Sequence, residues 1–354
     1  MARLKKVDCS GPGIRRRRRG KGFEYLDDDG RRVSEPSVIE RIRELAIPPA
    51  WEDVWICPYP MGHIQATGTD AAGRKQYRYH DRWRERRDAE KFEEMIDFAR
   101  ALPRLRERVG DDLAREGMPR DKVLACAMRL LDRGFFRIGS ENYAEENDTY
   151  GIATMRKDHV TVSRDEVTFD YEAKGGQRRV QVIGDPEVAE VARAMKRRRG
   201  GGEELLAYRD GQRWVDVKSA DINSYLKEAT GGDFSAKDFR TWSGTVLAAV
   251  ALAVAGMAST SKAARTRAKS RAVKEVARYL GNTPAVCRAS YIDPRVFDRF
   301  DGGLTIGGAL PELADDTAAW PDVQRAVEEA VLDLIANDRE SDLVEEGVEL
   351  AAVA

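Results

Sequence analysis

One change of period constrains this chain more than any other feature. From Phe23 to about Tyr79 the residues alternate in short runs broken by glycine. "FEYLD" followed by "DDGRRV" predicts a hairpin, "VWICPYP" and "HIQATGTDAAGRKQYRYH" predict strands with glycine turns, and "EPSVIERIREL" predicts one helix. From "DRWRERRDAEKFEEMIDFARAL" onward, apolar residues recur at helical spacing instead. A boundary near residues 85–90 follows. The expected fold is α+β, with a small β-rich N-terminal domain over residues 1–88 and a larger, mainly α domain over 89–354. The first ~20 residues are basic and glycine-containing, so they are expected to form a flexible arm.

Within the helical region a single segment keeps the strand period. "HVTVSRDEVTFDYEAKGGQRRVQVI" alternates, is β-branched and carries Gly175-Gly176, which predicts two or three antiparallel strands with Lys174 where a strand meets the turn. In "LGNTPAVCRASYIDPRV", Leu280-Gly281 closes one helix, Thr283-Pro284 opens the next and Pro294 stops it. Tyr291 sits near the end of that short helix. The run "AAWPDVQRAVEEAVLDLIANDRESDLV" predicts an acidic amphipathic helix followed by a loose tail.

Charge is unevenly spread. The whole chain has a formal net charge of −1, yet residues 301–354 carry a net −12 and residues 1–300 a net +11. The bulk of the chain can therefore hold a polyanion, and the acidic end masks this in the total. The longest apolar run, "GTVLAAVALAVAGM", is too short and alanine-rich to span a bilayer and reads as a buried helix; no secretory signal opens the chain. Four cysteines (Cys9, Cys57, Cys126, Cys287) and three histidines stand without metal-ligand spacing, and no phosphate-cradling glycine loop is present. A cytoplasmic protein with free thiols, no metal, no nucleotide cofactor and no membrane partner is the expectation.

Three further residues could carry chemistry. Arg137 in "RLLDRGFFRIGSENY" follows a helix expected to end near Gly134; its ordinary reading is an ion-paired surface arginine. Lys174 at its turn is ordinary too. Arg240 opens an apolar helix in "FSAKDFRTWSGTVLAAVALAVAG", where an unpaired charge is costly, so it needs an internal carboxylate or a ligand phosphate.

In the order Arg137, Lys174, Arg240, Asn282, Tyr291, these residues resemble the active site of type IB DNA topoisomerases, in the compact poxvirus-like form also found in bacteria. "FRIGSENY", "TFDYEAKGG", "KDFRTW" and "LGNTPAVCRASYI" stand where that family has its active-site motifs, and "GRKQYRYHDRW" resembles its DNA-contacting strand; the likeness runs over residues 20 to 300. The family commonly has a histidine where this chain has Asn282. The resemblance implies a catalytic domain in the helical region and supercoil relaxation through a 3′-phosphotyrosyl intermediate, without ATP or metal. Tyr291 would be the nucleophile, Arg137 and Arg240 the clamps on the non-bridging oxygens, and Lys174, with a lowered pKa, the general acid. Asn282, which does not titrate in this range, would donate a hydrogen bond to a non-bridging oxygen.

Duplex DNA is the implied partner, gripped by a monomer whose two domains, on a flexible link, close as a clamp, and which works in the cytoplasm on the nucleoid. Lys75, Gln76, Tyr77 and Tyr79 on one strand, and Tyr143 after the Arg137 motif, are the implied DNA contacts. The ordinary reading of the tyrosines, above all Tyr79, is packing on the core. A tyrosine recombinase shares the arginines, lysine and nucleophile, but it usually has a histidine where Asp238 stands, and an all-helical N-terminal domain. A non-catalytic DNA-binding protein on the same fold is the other alternative.

Overall fold

The computed structural model describes residues 3–256, 261–313 and 320–346. The chain divides into two compact units, Met1–Phe92 and Glu93–Ala354.

The first unit is built on a five-stranded antiparallel sheet of order β2-β1-β3-β4-β5, made from β1 (Ile14–Arg19), β2 (Gly22–Leu26), β3 (Glu52–Ile56), β4 (Ile64–Thr69) and β5 (Lys75–Tyr79). Helix α1 (Pro36–Glu44) lies between β2 and β3 in the chain, and its Ile42 joins Ile14, Val54, Ile56 and Ala66 in the core. The basic run expected to be a flexible arm is β1, paired on both sides, with Arg15 opposite Leu26 in one neighbour and Trp55 in the other. The alternation that buries Ile14 sets Arg16 to latch the carbonyls of Ile47, Pro48 and Trp51, while Arg17 and Arg19 pair with Glu24. A run of like charge becomes a strand here because three of its five arginines meet acceptors and the others stay exposed to solvent. Helix α2 (Asp81–Leu113) spans the Phe92–Glu93 boundary.

The second unit is mainly helical, as the period demands. After α2 come α3 (Arg120–Gly134) and α4 (Glu141–Asn147), then the antiparallel sheet β6 (Val160–Ser163), β7 (Glu166–Ala173) and β8 (Gln177–Gly184). Helix α5 (Pro186–Arg197), the hairpin β9 (Ala207–Asp210) and β10 (Arg213–Asp216), and α6 (Ser219–Thr230) lead to α7 (Ala236–Gly256) and α8 (Lys262–Leu280). The chain continues with α9 (Pro284–Ser290), α10 (Pro294–Asp301), β11 (Leu304–Thr305), α11 (Leu310–Leu313), α12 (Trp320–Ala336) and β12 (Glu345–Glu346).

Helix α7 begins upstream of its apolar run, and by length and composition its 21 residues could cross a membrane. Core helices pass the same test, and α7 packs against α3, α8, α10 and α12, with Phe239, Trp242, Ala248 and Leu252 buried. The acidic helix α12 belongs to this core through Val327, Val331 and Leu334. Its Glu328 shares the Arg106 guanidinium with Asp132 and accepts from the Trp242 indole N–H. The tail beyond Glu346 lies outside the described residues.

Candidate active site

Arg137 is carried by a sharp turn at the end of α3. Helix α3 ends at Gly134, where the sequence expects it to, and the residue in the left-handed conformation is the next one, Phe135, at φ +54°. Gly134 remains helical, and a Cβ on it would run into the Phe136 ring. The turn sends the Phe135 carbonyl inward and Arg137 toward a cleft. The segment after it is braced by two backbone hydrogen bonds, Ile152 N–H to the Arg137 carbonyl (2.9 Å) and Ala153 N–H to the Ile138 carbonyl (2.7 Å). Gly139, at φ +78°, lies so close to Gly151 that a side chain on either would strike the other's backbone.

Arg240, one turn into α7, is 4% exposed. Its guanidinium donates to the Phe135 carbonyl at 2.7 Å and the Leu280 carbonyl at 2.8 Å, and its Nε is buried without a partner. Arg137 donates to the carbonyls of Leu280 (3.4 Å) and Gly281 (3.0 Å) and to Asn282 Oδ1. Among the described residues neither arginine forms an ion pair with a carboxylate. The internal carboxylate considered for Arg240 is replaced by two backbone carbonyls, Phe135 at the C-terminal end of α3 and Leu280 at that of α8, where the helix dipoles favour cations. Burial, and then the charge of Arg137, push the Arg240 guanidinium down to about 10, with the Tyr291 phenol opposing them.

Tyr291 caps the C-terminal end of α9, with its N–H on the Cys287 carbonyl at 2.9 Å. Three features fix its backbone. Thr283 caps the start of α9 ahead of Pro284, as the sequence predicts. Asp293, fully buried and paired with Arg295, caps α10 two residues later. Helix α7 presses on Tyr291 at Gly244, where a Cβ would sit 2.5 Å from the Tyr291 carbonyl oxygen. The Arg240 guanidinium lies 5.2 Å from the Tyr291 ring centroid.

Lys174 stands at the tip of the β7–β8 hairpin, followed by Gly175 and Gly176 at φ +88° and +68°. Arg137, Lys174, Arg240 and Tyr291 line one cleft of about 320 Å³. Ser140, Thr149, Tyr150 and Lys237 line it as well, none of them expected from the sequence. Lys237 had a signal: at i−3 from Arg240 it shares a helix face.

Asn282 stands behind the cleft. Its Oδ1 accepts from Arg137, which fixes the amide orientation, because the reverse would set two donors against each other. Its Nδ2 is then buried without a partner of hydrogen-bonding geometry. Cys287 lies beneath, its thiol pushed up by burial, with Arg240 and the Asn282 amide opposing the shift. Among the described residues no group of three His, Cys, Asp or Glu side chains is placed to hold a metal ion.

In the first unit Lys75, Tyr77 and Tyr79 alternate on the outer face of the edge strand β5, with Tyr77 44% and Tyr79 37% exposed. Packing of these tyrosines on the core is therefore corrected; they stack on each other at 6.0 Å. Gln76 points the other way and donates to Asp70. The Tyr143 side chain lies outside the described residues.

Comparison with known proteins gives the class. Residues 80–300 match the family described as "Eukaryotic DNA topoisomerase I, catalytic core", and residues 22–70 match "Bacterial DNA topoisomerase IB, N-terminal domain". The chain is 34% identical to DNA topoisomerase 1B of Acanthamoeba polyphaga mimivirus over 288 residues, covering 79% of this chain and 85% of the relative. It is 25% identical to DNA topoisomerase 1B of vaccinia virus (strain Copenhagen) over 30% of this chain and 34% of the relative. With DNA topoisomerase 1 of Schizosaccharomyces pombe it shares 29% identity over 44% of this chain and 18% of the relative. The chain belongs to the type IB DNA topoisomerases, and it is an enzyme of that class.

Proposed function

We propose that this enzyme relaxes supercoiled duplex DNA by reversible cleavage of one strand through a phosphotyrosyl intermediate. The Tyr291 phenol gives up its proton to a solvent water and its oxygen attacks the phosphodiester phosphorus. A 3′-phosphotyrosyl bond forms and the bond to the 5′ oxygen breaks. That oxygen leaves with the electron pair and takes a proton from Lys174, so a neutral 5′-hydroxyl is released. Attack by the same hydroxyl reverses the step. One phosphodiester bond is exchanged for another of similar energy, so the cycle needs no ATP.

The observation that carries this reading is the pair Arg137 and Arg240. Two guanidiniums without carboxylate partners among the described residues, one of them buried with an orphaned Nε, face the cleft that also holds Tyr291 and Lys174. A buried unpaired cation is costly unless an anion completes the site. A phosphate's non-bridging oxygens suit that place, and they gain charge in the transition state, which the two cations stabilise without a metal. Asn282, behind the cleft, would act on the phosphate through Arg137, whose guanidinium it accepts from; a direct hydrogen bond from its buried Nδ2 would need the amide to turn toward the cleft.

The proposed partner is duplex DNA, held by the basic bulk of the chain and by the outward row Lys75, Tyr77 and Tyr79, with Gln76 and Tyr143 as further contacts. A single copy closing around the duplex completes the reading. The test is relaxation of supercoiled plasmid in EDTA without ATP, comparing wild type with Tyr291→Phe. Relaxation and a covalent protein–DNA band are expected from wild type alone. Equal relaxation by the variant would rule out Tyr291 as nucleophile.

A further inference from the structure

The helix end that receives Arg137 and Arg240 also receives a third arginine. Arg179 of β8 donates from Nη2 to the carbonyl of Tyr279, at 2.6 Å and across 100 residues of chain. The next carbonyl, Leu280, takes Arg240 and Arg137, and the one after, Gly281, takes Arg137 again. Three guanidiniums thus sit on three successive carbonyls at the negative end of the α8 dipole. Gly281 makes room for the third: it is left-handed at φ +60°, and a Cβ there would run into the Arg179 guanidinium.

Arg179 differs from the other two in what it carries. It lies on the hairpin whose tip is Lys174, in register with Tyr171 and two rungs below the closing pair Ala173–Gln177, about 7 Å along the strand. The tip consists of one lysine and two glycines in left-handed conformations, a turn with little stiffness of its own. Below it the hairpin is tied to the ends of α3 and α8, whose carbonyls also receive Arg137 and Arg240. Gln181 donates to the Gly134 carbonyl at the end of α3 and accepts from the Tyr171 hydroxyl at 3.2 Å, while Arg179 ties the same strand to the end of α8. Of these two side-chain ties Arg179 is the nearer to the tip; one rung nearer still, on β7, the Glu172 carbonyl accepts from the Tyr150 N–H at 2.8 Å, a backbone tie that reaches neither α8 nor its carbonyls.

We propose that Arg179 is a positioning residue for strand cleavage: by anchoring the β7–β8 hairpin to the C-terminal carbonyl of α8, it sets the place of Lys174 relative to Arg137, Arg240 and Tyr291. This rests on the reading of Lys174 as the donor to the leaving oxygen. Arg179 does not line the cleft, so its effect on the reaction passes through the lysine.

The test is single-turnover cleavage of a duplex with an ordinary 5′-bridging oxygen and of the same duplex with sulfur at that atom. Sulfur leaves as a thiolate, with the P–S electron pair and without a proton, because a thiol is far more acidic than an alcohol. Lys174→Ala should be slow on oxygen and close to wild type on sulfur. Arg137→Ala should be slow on both. Arg179→Ala is expected to follow the lysine, slowed at least about ten-fold on oxygen and restored to within a few-fold on sulfur. Arg179→Lys, which keeps the charge but shortens the reach, should fall between. An equal defect of Arg179→Ala on both duplexes, or no defect on oxygen, would overturn the proposal. Failure of sulfur to rescue Lys174→Ala would instead overturn the general-acid reading. Thermal melting of each variant separates a misfolded protein from a misplaced lysine; if Arg179→Ala does not fold, the same comparison is read on Arg179→Lys, where an equal defect on both duplexes again overturns the proposal.

Discussion

Arg137 and Arg240, 103 positions apart in the chain, donate to the same carbonyl oxygen, that of Leu280, at 3.4 and 2.8 Å. One backbone atom at the end of α8 therefore sets the spacing of two cations that would otherwise repel. The helix end compensates some of their charge and leaves the remainder for a ligand.

Arg240→Ala should slow single-turnover cleavage by about 10²–10³, corresponding to about 2.7–4 kcal/mol, if oxyanion donors are a fair guide. Arg240→Lys should recover little, because an ammonium cannot span the Phe135 and Leu280 carbonyls that the planar fork holds. Rapid-quench cleavage rates decide it; near-wild-type rates for the lysine variant would show that charge alone matters.

The role at position 282 has a pH signature. Asparagine does not titrate, so between about pH 5.5 and 8 the cleavage rate should have no limb assignable to Asn282. An acid limb shared by wild type and Asn282→Ala fits this; one that the alanine variant abolishes does not. Asn282→His should add an inflection below the ordinary histidine value of about 6.5, since burial and the Arg137 cation disfavour imidazolium. Asn282→Ala should also lower the rate, because Arg137 loses the acceptor that orients it.

Asp70 reports the integrity of the β4–β5 turn. Its carboxylate accepts from the Arg74 side chain and from the N–H groups of Ala72 and Arg74, and these hold its pKa at about 2, below the ordinary 3.8. Since the folded value lies below the unfolded one, its contribution is complete above about pH 4 and is lost as pH falls through 2. Carboxyl titration by NMR should find a midpoint near 2 in the folded protein. A midpoint near 3.8 would mean the turn is open in solution.

The active-site fold was legible where a local rule decides it. Gly281, Thr283 and Pro284 announce the helix ends that lead to Tyr291, whereas Pro294, read as the stop of α9, opens α10, α9 having ended at Ser290. Arg240 announced a need for a partner, since it opens an apolar helix. What stayed hidden was long-range. The partners of Arg240 are backbone carbonyls, which no side-chain pattern encodes, and Arg179 meets its acceptor across 100 residues. The end of α3 at Gly134 was legible as well, although the left-handed residue is Phe135, since a Cβ at Gly134 would meet the Phe136 ring. Another local rule misled. Five consecutive arginines suggested a loose arm, whereas pairing on both edges and the acceptors for Arg16, Arg17 and Arg19 make them a strand.

The acidic helix α12 is expected to be structural. Glu328 is 12% and Arg106 26% exposed, and Asp132 completes the group; the two carboxylates hold the guanidinium above its ordinary value against the cost of burial. Glu328→Ala should destabilise the protein by about 2 kcal/mol, less than a fully buried pair because solvent reaches Arg106. For a unit of this size the midpoint should fall by about 4–8 °C. An unchanged midpoint would mean that α12 is dispensable to the core.

The proposed DNA contact of the outward row of β5 would be of two kinds: Lys75, exposed at the end of the strand, would neutralise one phosphate, whereas Tyr77 and Tyr79 offer stacked ring faces. Releasing one condensed counterion per neutralised phosphate makes log K fall with log salt at about 0.9 per contact. Lys75→Ala should therefore weaken non-covalent binding and flatten that slope by about 0.9, measured with Tyr291→Phe protein so that cleavage does not intervene. Tyr77→Ala should weaken binding at every salt concentration and leave the slope unchanged, because it removes an apolar face and no charge. If Lys75→Ala keeps the wild-type slope, the lysine does not touch a phosphate and β5 is not the strand that meets DNA.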